Sequence, residues 1–171
     1  YDDACEIFTE MWDVPATAAI ASPLIRAGHR VSTRLLLAGK TERGIAAYEK
    51  QLHWFHKIET HFSPQERWVA HVYLVLQETL IMRRQSHQSE AVVAIEAVLA
   101  QLPAWPAVDL ELRREIHHHH GGIRLSTDEF TRSVTAMDLA IQCAIDMDDA
   151  YTEASLYMDK ALPLWAMGAF D

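Results

Sequence analysis

The chain has 171 residues, 50% of them hydrophobic and 23% charged, which is long enough for a sizeable core and too apolar for a disordered segment. Its 24 acids against 15 Lys and Arg give a formal net charge of −9, which argues against the basic surface that nucleic-acid binding usually needs. No run of about 18 apolar residues occurs, so no membrane span is expected, and no signal peptide is visible. The two cysteines, Cys5 and Cys143, lie far apart in helical patterns and are expected to be buried free thiols, as suits a reducing, cytoplasmic setting. The helical pattern is already under way at Tyr1, so the chain reads as one domain, residues 1–171, from a longer protein.

Residues 1–12 carry Ala4, Ile7, Phe8 and Met11 at the spacing of an amphipathic helix. Residues 16–21 read as a short helical piece or a connector. Ser22 and Pro23 predict a restart, with Ser as N-cap and Pro in the first turn of a helix that runs to residue 38 and stops at Gly39. Thr41 is expected to cap a helix over residues 42–58, with Ile45, Tyr48, Leu52 and Phe55 on one stripe. Ser63-Pro64-Gln65-Glu66 is a capping box with Pro in the first turn, opening a helix to about residue 85. A polar turn over residues 86–89 leads to a partner helix over 90–102, which Pro103 stops.

The stretch from Asp109 to Met147 organises the rest. Leu110, Ile116 and Ile123 mark one helix, Ser126-Thr127-Asp128-Glu129 a break, and Phe130, Val134, Met137, Ala140, Ile141 and Ala144 a second helix. Asp148-Asp149 opens a last helix from residue 150 to about 165, with Pro163 bending or ending it. No stretch alternates apolar and polar residues as a strand would. The expected class is all-α, with short connections that favour antiparallel neighbours.

The helix pairs align on a small residue near the start of each second helix. Gly44, Ala91 and Ser133 fall together, followed four residues on by Tyr48, Ile95 and Met137, and seven on by Gln51, Val98 and Ala140. Gly121 lies twelve before Ser133, where helices cross closely. Residues 1–11 and 151–162 repeat the second-helix pattern, the latter through Ala154, Met158 and Ala161. On the strength of Gly44-Ile45-Ala46-Ala47-Tyr48-Glu49-Lys50, Tyr151-Thr152-Glu153-Ala154 and Asp159-Lys160-Ala161-Leu162, the chain resembles the tetratricopeptide-repeat family. The pattern is degenerate, with spacings of 47 and 42 residues against a family period of about 34. The resemblance implies helix pairs stacked as a right-handed superhelix; the alternative is a compact helical bundle.

Residues 22–38 contain Arg26, His29, Arg30 and Thr33 on one stripe, with Arg34 beside it and no acid. The resemblance would place this stripe on a concave face, with Tyr73, Gln77 and Arg84 from the next pair and Glu115, His118 and His119 from the third. Arg, His, Tyr and Gln together suit an acidic peptide or a C-terminal carboxylate. The same stripe also describes a solvated helix face. His117-His118-His119-His120 invites a metal reading, since Glu115-x-x-His118 resembles the carboxylate–histidine element of di-iron bundles. However, four successive histidines on a helix point in four directions, and no second Glu-x-x-His occurs. Partly packed histidines at a helix crossing account equally for them, and His117, His118, His120 and Glu115 stand only as metal candidates. No Gly-rich phosphate loop or Cys-x-x-Cys appears. The expectation is a non-enzymatic interaction domain without a cofactor, acting as scaffold or sensor in a larger bacterial-type regulator. Its partner would be a protein or acidic peptide, and self-association through residues 1–12 would be compatible with it. The alternatives are a His-rich metal-binding bundle or a small-ligand sensor.

Overall fold

The computed structural model describes residues 18–169, with side chains from residue 23 onward. The helix expected over residues 1–12, with Cys5 and Trp12, lies outside the described residues. Among the described residues seven α-helices follow in chain order: α1 (Ala18–Leu37), α2 (Thr41–Ile58), α3 (Pro64–Arg84), α4 (Gln88–Gln101), α5 (Leu110–Ser126), α6 (Phe130–Asp146) and α7 (Ala150–Ala166). Single 3₁₀ turns at Glu59–His61 and Leu102–Ala104 close α2 and α4. There is no strand among the described residues, and no helix among them is long and apolar enough to cross a membrane.

Local signals set most boundaries. At the start of α3 the Ser63 N–H donates to Glu66 Oε2 at 2.9 Å and the Glu66 N–H to Ser63 Oγ at 3.3 Å, which is the reciprocal capping box expected from the sequence. Asp109 accepts the Leu112 N–H at 2.7 Å and Asp149 the Thr152 N–H at 3.0 Å, so two of the three last helices begin on an aspartate cap. Two expectations fail. Ser22 does not cap a helix, because α1 begins at Ala18 and runs through Pro23. Pro23 is the sixth helical residue and exposed, a position further in than the first turn that proline favours, and its missing N–H removes one hydrogen bond from the helix. Thr41 is the first helical residue of α2 rather than its cap, and Lys40 at the cap position makes no side-chain cap bond.

The turns repeat. Gly39, Ser86, Asp128, Asp148 and Gly168 each have φ between 55° and 77°. In each case the next residue's N–H reaches back five positions: Lys40 to Leu35, His87 to Met82, Glu129 to Arg124, Asp149 to Ala144 and Ala169 to Leu164, at 2.8 to 3.1 Å. This is the Schellman closure, and its left-handed residue turns the chain sharply after the helix. From Asp128 to Asp148 to Gly168 the turns recur every 20 residues, and α5, α6 and α7 are each 17 residues long.

The chain divides into two compact units, Tyr1–Ile81 and Met82–Asp171. The boundary falls inside α3, where no linker signal exists in the sequence. In the first unit Leu35 and Val31 of α1 pack on Ala47 of α2, while Leu36 meets Leu80 and Ile81 of α3 together with Ile45 and Tyr48. In the second, α5 packs on α6 and α6 on α7, with Ala140, Ile141 and Ala144 against Leu156. Leu36, Leu76, Ile95, Leu112, Ile116, Ile123 and Leu156 are fully buried, each side chain contributing roughly 1.5–3 kcal/mol of burial. Of the residues that marked this helix in the sequence, Ile116 and Ile123 are buried and Leu110 is exposed at the first position of α5.

Both well-defined pairs cross at a small residue twelve positions from a serine or glycine. Ser32 Oγ donates to the Gly44 carbonyl at 2.9 Å, and Ser133 Oγ to the Gly121 carbonyl at 2.8 Å. A Cβ on Gly44 would lie 2.7 Å from Leu36 Cγ, and one on Gly121 2.9 Å from the Met137 methyl, so these glycines permit the close approach. Thr79 and Ala91, which stand at the corresponding places in the sequence, are each fully buried.

Candidate functional site

The basic stripe of α1 has two surroundings. Arg30 and Arg34 are exposed, while Arg26 and Thr33 are half-buried and His29 is buried. The Arg26 guanidinium lies over the Tyr73 ring, 5.8 Å from its centroid, and the His29 ring is 5.1 Å from the same ring and tilted by 49°. A cation over a tyrosine face is favourable and fixes the arginine's direction. α1 contains no Asp or Glu along its whole length. The Thr33 hydroxyl oxygen is buried with no hydrogen-bond partner among the described residues.

Tyr73 and Gln77, placed by the sequence on the partner-facing stripe of α3, lie in the interior. Gln77 is fully buried, and its amide exchanges two hydrogen bonds with that of Gln51 on α2. Gln51 Nε2 donates to Gln77 Oε1 at 2.9 Å, and Gln77 Nε2 donates to Gln51 Oε1 at 3.1 Å. The remaining amide protons go to the Ala47 and Tyr73 carbonyls. An amide satisfied in this way has nothing left to offer a ligand, and Gln77 leaves the set of contact candidates on that ground. Gly28 makes room for the pair, since a Cβ there would lie 2.4 Å from Gln51 Cδ.

The other two partner candidates belong to the second unit. Arg84 is exposed at the end of α3, next to Arg83, whose guanidinium crosses Gly122. Burial, and then Arg84, lower the pKa of Arg83. His118 is half-buried and its Nε2 lies 3.0 Å from Asp159 Oδ2 on α7.

The four histidines face four different environments, as their succession on one helix requires. His119 is buried and 3.9 Å from Glu115, which also takes a 2.6 Å ion pair from Arg114. His120 Nε2 accepts from Arg124 Nε at 3.1 Å, so it acts as an acceptor there. Burial and then Arg124 lower its pKa. The Nδ1 of His117 is buried without a hydrogen-bond partner among the described residues. Among those residues His117, His118, His120 and Glu115 do not bring three ligand atoms within 4.8 Å of one another.

Burial, then His120 and Arg113, bring the His117 pKa down to about 4. An unfolded histidine takes up its proton near 6.5, so between those values the unfolded chain binds more protons and stability falls as pH drops. The loss is expected to be on the order of 1–2 kcal/mol, discounted because the ring is only partly buried. Urea titrations at about pH 7 and about pH 5 should show it, and His117→Gln should flatten it. An unchanged pH response in that variant would place the effect elsewhere.

A network that the sequence did not reveal centres on Arg124. Its buried guanidinium pairs with Glu96 of α4 and with Glu129 at the start of α6. Glu129 also takes bonds from Thr127 and Arg132, and Arg124 first among them holds its carboxyl below the usual range.

Comparison with protein-family models, with curated proteins and with solved structures returned no match. The functional assignment therefore rests on geometry and charge.

Proposed function

We propose that the chain is a non-enzymatic interaction domain of helical-repeat type. Its helix pairs stack in the tetratricopeptide manner, and the arginine-bearing face of α1, on the concave side in that arrangement, receives an acidic protein segment or a C-terminal carboxylate. The observation that carries this is α1 itself. In a chain of net charge −9, it presents Arg26, Arg30 and Arg34 with no acid on the same helix. Arg30 and Arg34 reach the surface, and Arg26 is oriented by the Tyr73 ring. Guanidinium suits such a partner because it meets a carboxylate with two parallel hydrogen bonds. With His29, Tyr73 and Gln77 buried, and Arg84 and His118 in the second unit, the contact set is taken as Arg26, Arg30 and Thr33, with Arg34 beside them.

The repeated Schellman turns and the twelve-residue Ser–Gly crossing in two pairs support the repeat assignment. A regulatory, cytoplasmic role is the setting that such a domain fits.

Binding to a labelled pool of Glu- and Asp-rich peptides with free C-termini tests the assignment. Arg30→Glu is expected to weaken the retained peptides by at least about tenfold, or roughly 1.4 kcal/mol, with the helical circular-dichroism spectrum retained because Arg30 is exposed and not part of the core. Equal binding by the variant would remove α1 as the docking face.

A further inference from the structure

The last helix, α7, is amphipathic the wrong way round for a surface helix. An outer helix normally turns apolar residues inward and charged residues to solvent. Here Asp159 and Lys160 turn back onto the fold. Asp159 lies 3.0 Å from His118 of α5, and Lys160 Nζ is 2.5 Å from Asp138 of α6. Leu156 and Pro163, seven apart, are the residues that α7 buries. The opposite stripe faces outward: Tyr151 is 87% exposed, Met158 75%, Leu162 54% and Trp165 68%, with Tyr157 at 50% beside them. The only other charge on the helix, Glu153, lies off this stripe.

The exposed pattern is one that this fold buries elsewhere. Ser133, Met137 and Ala140 of α6 lie against α5 and are buried. Twenty-one residues on, the same succession appears as Ala154, Met158 and Ala161, all exposed. The stripe also alternates in size, with Tyr151, Met158 and Trp165 separated by Ala154 and Ala161 at three- and four-residue steps. That is a seam of period 3.5, in which large side chains fill the spaces over small ones when two such helices meet. Aromatic side chains of about 150–250 Å² each at these exposures, with Met158 and Leu162, leave roughly 600–700 Å² on one face. That exceeds the patch a typical monomer exposes and approaches the roughly 800 Å² per partner of a standard interface.

We propose that this face of α7 docks antiparallel against the same face of a second copy of the chain, forming an isologous dimer. A two-fold axis between residues 159 and 160 sets Trp165 over Ala154 of the other copy and Met158 over its Ala161, so these two large residues each meet a small one, while Leu162 and Tyr157 face each other at the flank of the seam. The positions flanking the seam, Ser155, Tyr157, Leu162 and Leu164, carry no charge. The acidic chains therefore do not meet like charge at the contact, and added salt strengthens the association by screening the remaining long-range repulsion.

Sedimentation equilibrium from about 1 to about 100 µM, the range of ordinary reversible dimers, tests this. The wild type is expected to dimerise within that range, and Met158→Glu and Trp165→Glu to remain monomeric with unchanged melting temperatures, both positions being exposed. A wild type that stays monomeric at about 100 µM overturns the proposal, and so does a dimer that survives both substitutions. Orientation has its own readout under mild oxidation. Ala154→Cys chains mixed with Trp165→Cys chains should cross-link, whereas Trp165→Cys alone should not. In the antiparallel register its two copies are separated by eleven residues of helix, about 16 Å, beyond disulfide reach. Self-cross-linking of Trp165→Cys would overturn the register.

Discussion

Gln77→Leu is expected to lower the free energy of unfolding by about 2–3 kcal/mol, and Gln51→Leu/Gln77→Leu to lower it by less than the two single changes together. The reason is the closed exchange between the two amides, each donating to the other and each fully buried. Leucine at 77 leaves Gln51 Oε1 and one Gln51 N–H with no partner and no route to water. A stranded buried polar group costs about 1–3 kcal/mol, whereas replacing both partners by apolar groups of similar shape can be nearly neutral. Gly28 sharpens the effect, because it leaves the Gln51 side chain little space in which to swing away. Urea denaturation of the four proteins of the cycle gives the coupling directly, expected at about 1–3 kcal/mol. Additive effects would mean that the amides contribute as separate side chains and that the pair does not hold α2 to α3.

What could be read from the sequence was local chemistry. The Ser63–Glu66 box, the Asp149 cap and the break at Ser126–Glu129 each involve groups within a few residues, so spacing alone determines them. The twelve-residue relation between Gly121 and Ser133 was legible for the same reason, because a tight hairpin fixes which positions cross. The glutamine pair was not. A polar residue on a helical stripe reads as a groove position, and only its partner 26 residues away makes it interior. The available clue was that Ala47, Gln51, Trp54 and Phe55, like Tyr73, Gln77, Leu80 and Ile81, put each glutamine in the middle of an apolar stripe. α7 shows the converse limit. Its Ala154-Met158-Ala161 succession was legible as a packing stripe, but periodicity does not say whether the neighbour it packs against belongs to the same chain. Pro23 misled because a proline, although commonest in the first turn of a helix, here lies in its second turn.

Arg124→Met should cost about 2–3 kcal/mol of stability, less than the roughly 3–5 kcal/mol of breaking a wholly buried pair. The difference lies in what remains. Arg124 is 4% exposed, but Glu96 and Glu129 keep 52% and 34% of their side chains in contact with solvent, so both carboxylates rehydrate once the guanidinium is gone. The lost contribution is mainly mechanical, because Arg124 joins α4 to the start of α6 from the last turn of α5. The substitution also carries an electrostatic signature that a simple packing defect lacks. His120 is held low by burial and then by Arg124, so its pKa should rise in the variant, while that of Glu129 should return toward the ordinary carboxylate range because Arg124 is the main cause of its lowering. The Glu129 contribution is present above the ordinary carboxylate pKa and is lost as pH falls through the lowered value, so the variant should lose that part of its acid sensitivity. Histidine ring resonances followed by NMR across about pH 4 to 8 would report the first shift, and carboxyl carbon resonances the second. If stability fell with neither pKa moving, Arg124 would be acting through its methylene stem alone, and the ion pairs would be incidental to how α4, α5 and α6 are held.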